Sequence, residues 1–250
     1  MNDVAIPTGR LSGVVDLARV RAWYAARAVV SSHPSIYLPL VARKPSSEVE
    51  KIVDPTTEVV IEGFPRSGNT FAVFAFELAQ GRPVRIAHHL HAGAQVARGV
   101  QLGIPTLVLV RDPADAVLSH LVRHPGITAR QGLRSWIRFH RTVERVRDHV
   151  TIASFADVTT DFGAVTERLN ERSGTHFAPF EHTPANVERC FRRIEERNRS
   201  RYARIEDSKI ARPSPVRDET KRSLRPTLEA PAMRPLLDEA RRLHDALVGS

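Results

Sequence analysis

The sequence predicts a three-layer α/β domain with a mainly parallel central sheet flanked by helices, and three observations carry that reading. Short apolar-centred runs at 58–62 (EVVIE) and 106–110 (TLVLV) have the length and composition of strands buried on both faces. Longer amphipathic segments lie between and after them, so that strand and helix alternate from about Glu58 to residue 172. A chain of 250 residues, 42% hydrophobic, is also long enough for one substantial core without requiring two.

Taken in order, residues 11–30 read as an amphipathic helix that sets Arg19, Arg21 and Arg27 beside Leu17, Val20, Trp23 and Tyr24. Such a helix either packs on the domain with its arginines in solvent or makes weak contact with a membrane surface. A Pro- and Ser-rich loop is expected over Ser31–Ser47, so that residues 1–56 form an N-terminal element ahead of a main domain at 57–250. The main domain opens with the strand at 58–62, a turn, and a helix from 69 to 79 that Gly81 and Pro83 end. A strand at 84–88, a helix at 92–102 stopped by Gly103, and the strand at 106–110 follow. Asp112 and Pro113 supply an N-cap and a first helical residue for a helix to Val122. A helix at 130–148, a strand at 150–155 and a helix at 161–172 continue the alternation. The Arg-rich remainder reads as helix at 185–200 and 230–247, with an irregular stretch at 207–227 between.

Thirty-seven Lys and Arg against 28 Asp and Glu give a net charge of +9, which calls for anionic partners: nucleic acid, an anionic membrane or a polyphosphorylated small molecule. No recognition-helix motif or zinc pattern supports nucleic acid. The single cysteine, Cys190, excludes an intramolecular disulfide and any Cys-based metal site within one chain. No apolar run is long enough to cross a bilayer, no signal layout opens the chain, and a cytoplasmic location is expected.

The strongest motif follows the first strand. Gly63-Phe64-Pro65-Arg66-Ser67-Gly68-Asn69-Thr70 fits G-x-x-x-x-G-K-[ST] at every defined position except the lysine, where Asn69 stands. Glycines let the backbone curl so that successive N–H groups and the positive end of the next helix face one anion. Nucleoside triphosphatases use the missing lysine on the β/γ-phosphates, so its absence argues against a P-loop kinase or nucleotide hydrolase, the rival enzyme class. Here the positive charge sits at Arg66 instead.

The run F-P-R-S-G-N-T-F at 64–71 resembles the 5'-phosphosulfate loop, Y-P-K-S-G-T-T-W, of the P-loop-like sulfotransferases that use 3'-phosphoadenosine 5'-phosphosulfate (PAPS). The resemblance implies that Pro65, Arg66, Ser67, Gly68, Asn69 and Thr70 hold the 5'-phosphosulfate, with Arg66 on its bridging oxygen, and that Phe71 stacks on adenine. Arg111-Asp112-Pro113-Ala114-Asp115-Ala116-Val117-Leu118-Ser119 resembles the family's 3'-phosphate signature, R-(D/N)-P-x-D-x-x-x-S, which gives Arg111 and Ser119 that phosphate. The spacing suits a strand end and the second turn of the next helix facing the crevice where parallel sheets bind ligands. A basic segment at 212–222 takes the place of the family's late nucleotide-closing loop without its glycines; Arg217, with Arg212 and Lys221 as alternatives, is its candidate contact, and a solvated basic loop is the rival reading.

Sulfuryl transfer needs a base for the acceptor hydroxyl. By resemblance to K-T-H-L-P, His89 takes the base position in Ala87-His88-His89-Leu90-His91, with His88 and His91 as alternatives and with strand alternation predicted to point His88 and His89 apart. The family's lysine before the histidine is replaced by Ala87. A histidine metal site is the rival reading of 88–91. The resemblance implies sulfuryl transfer to a hydroxyl, with a glycan or glycolipid acceptor as the family's habit and no metal required.

Overall fold

A computed structural model describes residues 14–43, 49–201, 212 and 214–249. Its centre is a four-stranded, all-parallel sheet of order β2-β1-β3-β4, with β1 at Val59–Gly63, β2 at Ile86–His88, β3 at Thr106–Val110 and β4 at Thr151–Ser154. Every residue of β1 and β3 is buried, as expected of strands covered on both faces.

Alternation along β3 divides the core in two. Leu107 and Leu109 pack with α3 (Asn69–Ala79), α8 (Phe162–Ser173) and α9 (Pro184–Arg201). Val108 and Val110 face the opposite layer, formed by α1 (Val14–Val30), α5 (Pro113–Arg123), α6 (Ala129–Glu144) and α11 (Arg234–Val248). A smaller apolar cluster joins α2 (Pro34–Ala42) and α4 (Gly93–Gln101) to Val60 and Ala87 at the β2 side. Two further helices among the described residues are the short α7 (Phe155–Thr160) and α10 (Pro215–Glu229).

Local chemistry sets the helix starts. The Asp112 carboxylate accepts from the Asp115 N–H at 2.9 Å, with Pro113 as first helical residue of α5. Thr128 and Gln131 form a reciprocal capping box at α6.

Several sequence expectations need correction. Residues 34–42, read as loop from their Pro and Ser content, form α2, because Pro34 sits in its first turn and Tyr37, Leu38 and Val41 bury one face. The stretch read as irregular at 207–227 holds α10 from residue 215, capped by Ser214 and tolerating Pro226 inside it. Residues 207–211 and Pro213 of that stretch lie outside the described residues, as do residues 11–13 of the first helix. The last helix begins at Arg234 rather than 230. In α1 the apolar face (Val20, Tyr24, Ala28) is spent on the core. Its arginines are not all in solvent: Arg21 Nε donates to the Gly126 carbonyl at 3.3 Å and Arg27 Nη2 to the Leu90 carbonyl at 2.8 Å.

Candidate active site

The first strand ends at Gly63 under tight constraint. A Cβ there would stand 2.5 Å from the Leu109 carbonyl oxygen of the neighbouring strand, so only glycine lets β1 and β3 approach this closely. The chain then curls through two left-handed residues, Arg66 (φ 73°) and Gly68 (φ 91°), before α3 begins at Asn69. Gly68 provides no side-chain cap, so the first N–H groups of α3 face the loop. Asn69 points its amide inward, donating to the carbonyls of Phe64 at 3.1 Å and Gly63 at 3.5 Å. The buried Ser67 Oγ and Asn69 Oδ1 have no hydrogen-bond partner among the described residues.

The second motif meets the first here. Arg111, at the end of β3, donates from Nη1 to the Arg66 carbonyl at 3.0 Å, while Arg66 Nε donates to Ser119 Oγ of α5 at 3.0 Å. The Arg111 guanidinium lies 4.1 Å from the Phe155 ring centre and 3.9 Å from the Asp115 carboxylate. Two arginines 45 residues apart therefore converge on one wall of a cavity of about 450 Å³.

That cavity is lined by Pro65, Arg66, Gly68, Asn69, Thr70 and Phe71 from the loop and α3, and by Arg111. Phe71, Val187 and Phe191 form its apolar end, the Phe71 and Phe191 rings 5.7 Å apart. Of the remaining sequence-derived candidates, Ser67 and Ser119 are buried just behind the wall. Arg217 is buried at the start of α10, bonded to the Arg212 carbonyl, and is not in the lining.

The histidine segment departs from the expected alternation. The strand ends at His88, and His89 (φ 59°) and His91 (φ 49°) both take the left-handed conformation. His88 and His89 consequently face one another, their Nδ1 atoms 2.5 Å apart, rather than pointing to opposite sides. The second ring nitrogen of His89, Nε2, lies 3.1 Å from Thr70 Oγ1, and His89 is buried outside the cavity lining. Burial and its histidine neighbours hold His89 well below the ordinary imidazole value, and burial with Lys51 lowers His88 to about 3. His91 does line the cavity. Its Nδ1 is 2.8 Å from the Gly63 carbonyl, an acceptor only, so Nδ1 carries the proton and the basic lone pair lies on Nε2.

Behind this segment sits a residue that sequence reasoning passed over. Glu62, fully buried in β1, accepts from Leu90 N (2.7 Å) and Gln95 Nε2 (3.1 Å) on Oε1, and from His91 N (3.1 Å) and Gly63 N (3.3 Å) on Oε2. Burial raises its pKa to about 7 against the pull of those donors. Its Oε2 is 4.0 Å from His91 Nδ1. The signal was available: a carboxylate in an otherwise apolar strand, one residue before the loop. His120 and Arg123 of α5 also line the cavity, and Tyr24 of α1 reaches His120 Nε2 at 3.1 Å. Among the described residues no group of three His, Cys, Asp or Glu is placed to hold a metal ion, and no helix is long and apolar enough to cross a membrane.

No protein-family model and no curated protein matches the chain. Among solved structures, the crystal structure of mouse sulfotransferase SULT7A1 complexed with PAP is similar, with a TM-score of 0.40 and 13% identity over 78% of this chain and 92% of that one.

Proposed function

We propose that this chain transfers a sulfuryl group from PAPS to an acceptor hydroxyl. The observation that carries the reading is the convergence of Arg66, Arg111 and Ser119 beside the uncapped N-terminus of α3, which joins two separate sequence motifs in one cationic corner. Such a corner fits the two ends of a nucleotide carrying phosphate groups at both its 5' and 3' positions. The partnerless Ser67 Oγ at the loop also suits an anion's oxygens. Phe71, Val187 and Phe191 supply an apolar slot for the adenine ring.

PAPS, when bound, supplies a sulfur bonded to a phosphate leaving group. As the acceptor oxygen bonds to sulfur and the sulfur–oxygen bond to phosphate breaks, a base takes the hydroxyl proton. Of the three histidines we assign this to His91, whose Nε2 holds the lone pair and whose ring lines the cavity. The Glu62 carboxylate, 4.0 Å from Nδ1, favours the imidazolium that forms where it is ionised, as pH rises through about 7. His89, the position the family resemblance selects, sits behind it with both ring nitrogens engaged. Arg66 and Arg111 neutralise the departing phosphate. The family resemblance makes a hydroxyl of a glycan or glycolipid the acceptor class to screen first.

Calorimetry with 3'-phosphoadenosine 5'-phosphate against ATP tests the donor. Micromolar or tighter binding of the first and none of the second is expected, on the order of −8 kcal/mol. Magnesium-dependent ATP turnover, or equal affinity for the two, would overturn it.

A further inference from the structure

A second surface, remote in composition from the site above, combines positive charge with exposed apolar side chains. Arg134, Arg138 and Arg141 of α6 and its C-cap residue Arg145 recur at i, i+4, i+7 and i+11 and line a cleft of about 390 Å³. Four guanidiniums share this cleft with one carboxylate, Glu239, which pairs with Arg141 at 2.5 Å. Arg134, Arg138 and Arg145 have no ion pair among the described residues. The cleft is also lined by Val29, 46% exposed, and by Ser32 and His33 at the entry to α2.

From His33 the same stripe runs on along α2. His33, Ile36, Leu40 and Arg43 follow at i, i+3, i+7 and i+10, turned away from the buried Tyr37, Leu38 and Val41. Ile36 is 52% and Leu40 48% exposed, which makes this stripe one of the most apolar open faces among the described residues.

We propose that the chain docks on an anionic lipid bilayer through the exposed face of α2 and the arginine-lined cleft beside it. Apolar side chains that enter the headgroup boundary, flanked by cations that meet lipid phosphates, are two signals that together hold a protein on an anionic membrane surface. A soluble polyanion would use the arginines but leave Ile36, Leu40 and Val29 without a role. Charge complementarity and the apolar stripe together select the bilayer. The contact lies on α2, α6 and Val29 near the end of α1, not on the α1 face that carries Val20, Tyr24 and Ala28, which is buried.

The full chain is sedimented with phosphatidylcholine vesicles, with and without about a third phosphatidylglycerol, at about 0.1 M salt. Retention on the anionic vesicles is expected to be roughly tenfold stronger and to weaken as salt rises to about 0.5 M. Ile36→Ser with Leu40→Ser, and separately Arg134→Gln with Arg138→Gln and Arg145→Gln, each lower retention by roughly tenfold or more while leaving the urea midpoint unchanged. A Leu40→Cys chain carrying an environment-sensitive fluorophore gives a second readout. Cys190 is buried with its thiol pushed up to about 12, so the label goes to position 40 alone. Its emission shifts to the blue on anionic vesicles. Absence of sedimentation, an unmoved emission, or retention indifferent to both sets of substitutions overturns the proposal. Salt-sensitive retention on heparin or RNA that ignores the Ile36 and Leu40 changes, without vesicle binding, overturns it in favour of a soluble polyanion.

Discussion

Replacing Glu62 by glutamine alters one atom of a carboxylate that four donors hold. Glutamine keeps one oxygen, so two of the four bonds, either those from Leu90 and Gln95 or those from His91 and Gly63, meet an NH₂ instead. Two lost bonds to a charged acceptor are worth roughly 3–5 kcal/mol, and removing a buried charge returns part of it. The pH dependence separates the two effects. The folded pKa of Glu62, about 7, lies above its ordinary 4.5, so this group's contribution to stability is full below pH 4.5 and is lost as pH rises through 7. The difference in unfolding free energy between wild type and Glu62→Gln therefore falls by roughly 2–3 kcal/mol from pH 5 to pH 8. Urea denaturation of both chains at half-unit pH steps measures it. A flat difference, or one that grows with pH, refutes the reasoning and shows that the four donors outweigh burial and keep the carboxylate ionised throughout. In the orientation that sets the NH₂ against His91 and Gly63, the same variant frees the N–H of His91, whose left-handed backbone costs about 1–2 kcal/mol to hold, so turnover falls more than nucleotide affinity.

Arg111→Lys keeps a charge but loses the fork that grips the Arg66 carbonyl and stacks on Phe155. Affinity for 3'-phosphoadenosine 5'-phosphate is expected to fall by roughly 30-fold or more in calorimetry, and unchanged affinity removes Arg111 from the site. His91→Ala lowers kcat by about 10²–10⁴-fold with nucleotide affinity nearly intact, and His89→Ala by less. Single-turnover kinetics with the order reversed returns the base to His89. Gly63→Ala, which drives a methyl into the Leu109 carbonyl, destabilises the fold by about 1–3 kcal/mol; a urea midpoint equal to wild type contradicts the close approach of β1 and β3.

The α/β alternation and the phosphate loop were legible because both rest on local rules. Apolar runs such as TLVLV report burial on both faces, and Gly63, Gly68 and Asp112-Pro113 report backbone needs at single positions. What failed to show has long-range causes. Strand periodicity set His88 and His89 on opposite sides, but Glu62 on the adjacent strand and Gly63's carbonyl hold the segment in left-handed turns that no local preference of histidine predicts. The prolines and serines of α2 read as loop and residues 207–227 as irregular, yet buried Tyr37, Leu38 and Val41 in one and Leu228 in the other fix helices there. Tyr24 and Arg27 reach His120 and Leu90 across 96 and 63 residues, a link that spacing along the chain does not encode.

The side chain of Asn69 gives the phosphate loop a cross-brace of its own. By tying its amide to the carbonyls of Phe64 and Gly63, the chain orders the curl during folding, and an arriving anion meets N–H groups already in position. The entropic cost of shaping the loop is thus charged to protein stability rather than to ligand affinity. Asn69→Lys exchanges this planar brace for a charge on a flexible stem, and is expected not to create a triphosphate site, which calorimetry with ATP checks.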